Sequence, residues 1–408
     1  MSTTRPLSTL RFLGWADFGV TGRARRALSQ KATLLAAFFP VFIPTQLIAT
    51  WAIQCFGAKI VSSLQNCGTC IALLACPWAM RVGGHVGLAT CFTTIGVFQS
   101  PLFPAISVLK RAWTADVEPA RRAVLLRIMA AGGHVSGFIA ALVVPWLATR
   151  YGWQRVPIVW GSAFGALAVV WHVCASDAPQ AAVASVEPPT ANKGFNLSVF
   201  SVGSVRAAMF NHFASNNMGY VFMQWAPTLY TQVHGVAASQ IGKWLALPNT
   251  VNVLGSFLIG AIESRCLTQG MTVLHVRQLF TRWGSTLSAL LCAVFVYAPS
   301  APLASLVHCV TQLAMCYTGS SFSSNYYEIG GKQTAIITGV ANVFASMPGF
   351  FLPPLGAALF ARFGLKPVFL WSAAVMLVSG DVYCRHLSVE TAEDALAARD
   401  RERASTRL

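Results

Sequence analysis

Charge is what this sequence has least of: 10% of its 408 residues are Asp, Glu, Lys or Arg, against about 25% in an ordinary soluble domain. So few ionised side chains cannot cover a globule of this size, which excludes a soluble fold. Acids are scarcer still, 13 against 29 Lys and Arg, for a formal net charge of +16. In a polar protein such an excess marks a nucleic-acid partner, but here the basic residues neither gather on one face nor interleave with aromatics. They sit in short gaps between apolar runs, so no nucleic-acid partner is expected. Also missing are a Gly-Lys-Ser/Thr phosphate loop and a Gly-x-Ser-x-Gly nucleophile turn, which argues against ATP-driven pumping and hydrolysis. No enzyme activity, catalytic residue or cofactor is expected.

Disulfide and metal frameworks are absent as well. The 11 cysteines are odd in number and lie mostly inside apolar runs, where thiols behave as small hydrophobes. Cys67-x-x-Cys70 has zinc or redox spacing but falls inside an expected membrane helix with no second pair nearby, so no metal site is assigned.

What is present is a succession of apolar runs, each near the roughly 20 residues that cross a bilayer. They fall near 32–53, 60–80, 86–108, 123–148, 156–174, 204–230, 241–262, 284–299, 302–324, 334–361 and 367–384, which predicts an all-α polytopic membrane protein of about eleven spans. Residues 176–197, rich in Pro, Ala, Ser and charge, interrupt the pattern and read as a linker. The expected organisation is a basic segment over 1–31, a helical bundle over 32–174, a central loop over 175–200, a second bundle over 201–385 and a charged tail over 386–408. Two halves of about six helices follow the plan of secondary transporters.

Assigning successive spans to alternate sides puts most loop Lys and Arg on one side, among them Lys110, Arg111, Arg121, Arg122, Arg127 and Arg277. The other side receives Arg81, Arg150, Arg155, Lys243, Arg362 and Lys366. The richer side is expected to be cytoplasmic. That orientation places the basic N-terminal segment, with Arg5, Arg11, Arg23, Arg25, Arg26 and Lys31, on the other side. The conflict implies either a first helix upstream of Met1 or an organelle transit sequence.

Several separated motifs resemble the anion/cation symporter branch of the major facilitator superfamily. LLAAFFPVFIPTQLIA resembles that family's second helix through Phe38-Phe39 and Thr45-Gln46, and the run from Arg121 to Val156 resembles its fifth through Gly133, Gly137 and Gly152-Trp153. FNHFASNNMGYVFMQWAPTLY resembles the seventh through His212-Phe213, Asn216 or Asn217, Gly219, Trp225, Pro227 and Tyr230. The run from Ser323 to Leu355 resembles the junction of the tenth and eleventh through Asn325, Glu328-Ile329, Gly339, Asn342, Pro348-Gly349 and Pro354. The resemblance covers about 350 residues and implies a two-bundle major-facilitator fold whose first helix is missing from this chain. Gln54 and Cys55 stand where the family's latch Asp and Arg belong. Phe92 and Gln99 stand where its fourth helix offers a substrate-holding Arg and a proton-coupling Glu, and a neutral amide cannot exchange a proton near neutral pH.

None of the acids is expected mid-span; Glu263 and Glu328 are placed just past span ends. Glu328 is the first candidate for cation coupling, with a local pair to Lys332 as the plain alternative. His212 reads either as a titrating carrier histidine or as one bonded to a backbone carbonyl. Asn216, Asn217, Gln46 and Gln99 read as cavity lining or as interhelical hydrogen bonds, and Tyr220 as an anion donor or an interfacial ring. Asn325 and Asn342 complete the candidates, on the family motif.

These features predict a secondary active transporter that moves a small anion by alternating access. The resemblance implies inorganic phosphate or an organic carboxylate, with sodium or protons as coupling ion, in an organelle or the plasma membrane. The alternative is a transport-inactive relative serving as a membrane scaffold or sensor.

Overall fold

A computed structural model describes residues 22–178, 196–237 and 240–405. The expected basic segment over 1–31 lies mostly outside the described residues, as does most of the central loop over 175–200. Among the described residues the chain is helical, without a strand. The first bundle comprises α1 (Gly22–Phe56), α2 (Ala58–Gln99), α3 (Leu102–Thr114), α4 (Pro119–Tyr151) and α5 (Arg155–Cys174). The second comprises α6 (Gly203–Thr228), α7 (Ile241–Thr268), α8 (Val273–Phe295), α9 (Ala301–Gly330), α10 (Thr334–Phe363) and α11 (Lys366–His386), followed by α12 (Ala392–Ser405).

Local chemistry sets the breaks. Helices α4, α9 and α11 carry Pro in their first turn, where its missing N–H has no partner to lose. Helix α2 is two limbs joined at Gly84, whose φ of 56° and ψ of −141° suit a residue without a Cβ. The limbs fold back on one another, since Gln99 Nε2 donates to Thr69 Oγ1 at 2.9 Å from thirty residues away. After Pro101 interrupts the ladder, α3 continues the second limb. Counting those limbs separately, and joining the second to α3, reproduces the eleven spans.

Helix α2 packs on α1 and α5; in the second bundle α8 lies between α9 and α11, and α6 between α10 and α11. Phe222, Phe295 and Phe369, from α6, α8 and α11, meet with centroids 5.0 to 5.5 Å apart and anchor that bundle's core. The bundles meet along two seams, α4 with α7, and α1 and α3 with α10. Large apolar side chains such as Ile71, Trp78, Val86, Val173 and Leu290 point outward. A surface of that kind suits hydrocarbon rather than water.

Seven stretches among the described residues are long and apolar enough to cross a membrane. Two of these, Ala58–Thr114 and Ala301–Pro353, run to 57 and 53 residues and have length for two crossings each. Helices α6 and α8 fall outside that set because they turn polar side chains inward: Asn211, His212 and Asn217 on α6, and Arg277, Thr281, Ser285 and Ser288 on α8, are all buried. The span expected over 284–299 is therefore the second half of a helix that begins at Val273. Its first half looked like loop because an arginine there has its counter-charges on other helices.

Candidate functional site

A cavity of about 810 Å³ lies against both bundles, within the few hundred to about 1,000 Å³ typical of small-molecule sites. Its polar wall comes from three helical stripes. Asn216 and Tyr220 are four apart on α6, Asn249, Asn252 and Ser256 follow i, i+3, i+7 on α7, and His308, Gln312 and Cys316 follow i, i+4, i+8 on α9. Those spacings put each set on one helix face. Helix α4 contributes Arg127 and Gly133 from the other bundle. The wall is internally bonded: Asn252 Nδ2 donates to Gln312 Oε1 at 2.8 Å, Gln312 Nε2 lies 3.2 Å from His308 Nε2, and Cys316 Sγ donates to Asn252 Oδ1 at 3.3 Å. Among the described lining residues there is no carboxylate, and Arg127 is the formal cation.

Of the residues singled out from sequence, Asn216 and Tyr220 line this cavity. Asn217, on the same helix, donates instead to Ser372 Oγ of α11 at 3.0 Å. His212 stacks on Phe322 with centroids 4.8 Å apart, and its Nδ1 lies 3.4 Å from Tyr326 Oη; the backbone-carbonyl bond considered for it is not what holds the ring. Gln99 spans the α2 limbs through Thr69. Gln46 joins the bundles: Asn342 Nδ2 donates to its Oε1 at 2.6 Å, and its Nε2 reaches Ser346 Oγ at 3.5 Å.

The acids require correction. Glu263 is not past a span end but fully buried within α7, where it accepts from Arg277 Nη1 and Ser320 Oγ. Glu328 does not pair with Lys332; it accepts from Arg277 Nη2 at 2.8 Å and from Asn325 Nδ2 at 3.0 Å. Asn325 also donates to Ser388 O at 2.8 Å, tying this cluster to the chain after α11. Arg277, counted among loop charges from sequence, is buried between the two carboxylates because helices α7, α8 and α9 converge there. Sequence reasoning also missed Arg127, Asn249, Asn252 and Gln312, whose signal was polar residues recurring at helical spacing inside apolar runs.

In the half of the molecule nearer the basic loops, hydrogen bonds cross between bundles, the following three among them besides that of Gln46 Nε2 to Ser346 Oγ. Arg111 Nη1 donates to Tyr327 O at 2.7 Å, Arg127 Nη2 to Ser323 Oγ at 2.7 Å, and Asn342 Nδ2 to Gln46 Oε1 at 2.6 Å. No carboxylate takes part in these three, in keeping with Gln54 and Cys55 at the latch positions.

Membrane-length helices in two bundles beside a polar cavity define an integral, multi-pass membrane protein of the two-bundle class. The chain belongs to the Major Facilitator Superfamily, whose profile matches residues 25–346. Among its curated relatives are Probable anion transporter 4 of rice, chloroplastic, 23% identical over 78% of this chain and 55% of that protein, and the Arabidopsis chloroplastic ascorbate transporter, 22% identical over 84% and 65%. Human sialin is 24% identical over 80% of this chain and 68% of its own length. The chain thus spans 55 to 65% of the length of the first of these relatives. Among solved structures, the human organic anion transporter TETRAN superposes with a TM-score of 0.68 at 13% identity, covering 86% of this chain and 83% of that one. The Escherichia coli fucose:proton symporter gives 0.67 at 12%, covering 89% and 92%. Both likenesses concern the fold.

Proposed function

We propose that this protein is a secondary carrier that moves a small anion across its membrane by rocking the two bundles about the cavity between them. The observation that carries the reading is the composition of that cavity, which presents amides, hydroxyls and one arginine, and no carboxylate among the described lining residues. A low-dielectric chamber with net positive charge favours an anion over a cation or a neutral solute. The relatives named as transporters of anions and of ascorbate support the same class.

On this reading the hydrogen bonds that cross between bundles hold one side of the chamber shut, and their neutral acceptors can be exchanged for water without separating ion pairs. In the carrier cycle they break when that side opens, while the Glu263–Arg277–Glu328 cluster keeps α7, α8 and α9 moving as one body. The competing scaffold reading draws on Phe92 and Gln99, but it leaves a polar chamber of this volume without a use. Uptake of labelled phosphate and carboxylates into proteoliposomes, with and without sodium and pH gradients, tests the proposal. Flux above empty liposomes for at least one anion is expected; no flux for any of them overturns it.

A further inference from the structure

Arg127 lies inside α4 rather than in a loop. Its residue is 6% exposed, and no carboxylate lies within ion-pairing distance of it among the described residues. The nearby acid, Glu263, is committed to Arg277 and Ser320. Arg127 Nη2 donates to Ser323 Oγ at 2.7 Å, while its Nε has no partner. Its slot is built by the opposing helix: a Cβ on Gly260 of α7 would stand 2.8 Å from Arg127 Cβ and Cγ, so only a glycine there lets the stem lie flat against the seam. Across the cavity, Ser215 Oγ on α6 is likewise without a partner.

A buried, unpaired guanidinium is costly in a membrane protein and persists where function requires it. Arg127 lines the cavity with Nε unpartnered and Nη2 bonded only to a neutral hydroxyl, so its charge is not spent on a protein carboxylate, the group to which guanidinium makes its strongest hydrogen bonds. We propose that Arg127 binds the anionic group of the transported solute, supplying from α4 the positive charge of the chamber. The inference rests on the carrier reading and adds a residue and a solute chemistry to it. One guanidinium balances one negative charge, so a monocarboxylate leaves the closed chamber neutral. The amides of Asn249, Asn252 and Gln312 then face the uncharged remainder of the solute, and a chamber of about 810 Å³ has room for a polar body much larger than phosphate. The favoured solute is a singly charged carboxylate carrying hydroxyl or amide groups, rather than phosphate.

Binding to the purified full chain in detergent separates this inference from the transport reading. The thermal unfolding midpoint is measured at fixed ionic strength with glutamate, glucuronate and inorganic phosphate, and with glutamine and glucuronamide as uncharged counterparts. At least one carboxylate is expected to raise the wild-type midpoint more than its amide and more than phosphate. Arg127→Gln is expected to weaken that binding about ten- to a hundredfold and to erase the preference for charge, consistent with the loss of a charge-assisted hydrogen bond; its unliganded midpoint reports folding. Where Arg127→Gln does not fold, Arg127→Lys serves, with the preference for charge kept and affinity weakened. Unchanged affinity in the folded Gln variant, or in the Lys variant where that one serves, overturns the proposal, as does a wild-type protein that no carboxylate stabilises. Binding that behaves as expected without vesicle flux overturns the carrier reading alone.

Discussion

Arg277 Nη2 stands 2.8 Å from Glu328 Oε1 while Nη1 of the same guanidinium donates to Glu263, so one α8 residue joins α7 and α9. Removing the arginine strands two carboxylates away from water, and breaking a buried pair in this way typically costs about 3–5 kcal/mol. Arg277→Gln is therefore expected to lower the thermal midpoint sharply, and Glu263→Gln by less, because Arg277 then keeps Glu328. The exposed pair Arg385–Asp381, 2.8 Å apart at i,i+4 with side chains 71% and 58% exposed, is the internal control. Arg385→Gln is expected to cost no more than about 0.5 kcal/mol. Equal losses for Arg277→Gln and Arg385→Gln would contradict the buried-cluster account.

Gln46 and Asn342 are expected to couple across the α1–α10 seam. Interhelical amide bonds inside membranes average about 0.6 kcal/mol, so a double-mutant cycle of Gln46→Ala and Asn342→Ala should give a coupling of that order in thermal or denaturant unfolding. Additive single losses would mean that the 2.6 Å contact contributes nothing to joining the bundles.

Gly339 sets how closely those helices approach, because a Cβ there would overlap Thr50 Oγ1 and press on its Cβ and Cγ2 as well. Thr50 is β-branched and bonded to Gln46 O at 2.8 Å, so it has little freedom to yield. Gly339→Ala is expected to cost about 1–3 kcal/mol by overpacking, and Thr50→Ala should recover part of the loss. No loss in the single variant, or no recovery in the double, would show that the seam is looser than described.

His212 is expected to be a packing residue. It is buried, stacks on Phe322, meets Tyr326 Oη at 3.4 Å and does not line the cavity. His212→Phe should preserve folding to within about 1.5 kcal/mol, the usual range for a volume-conserving change, and should leave the pH dependence of uptake unaltered. Loss of a proton-gradient response in this variant would instead assign His212 to coupling.

The helical architecture was legible because apolar runs of membrane length are written residue by residue, and the described residues fold into helices along those runs. Polar helices were harder. Arg277 and Arg127 look like loop charges in a linear chain, since the partners that make burial tolerable, Glu263, Glu328 and Ser323, arrive from helices distant in sequence. The cavity was half visible for the same reason. Asn216 and Tyr220 stood in a recognisable motif, whereas Asn252 and Gln312 gain meaning only when α7 and α9 pack and their amides meet at 2.8 Å. Gln46 and Asn342 carried opposite information: each stood out as a polar residue in an apolar run, and the structure bonds them to one another.

The central claim, alternating access to one anion-binding chamber, is tested most directly by counterflow. Proteoliposomes containing the full chain are preloaded with the unlabelled carboxylate that best stabilises the protein, and entry of the labelled form is followed with no ion gradient imposed. A carrier whose cavity faces one side at a time returns loaded from each crossing, so preloading should accelerate entry and drive a transient overshoot. Entry that preloading leaves unchanged, or slows, would contradict the account.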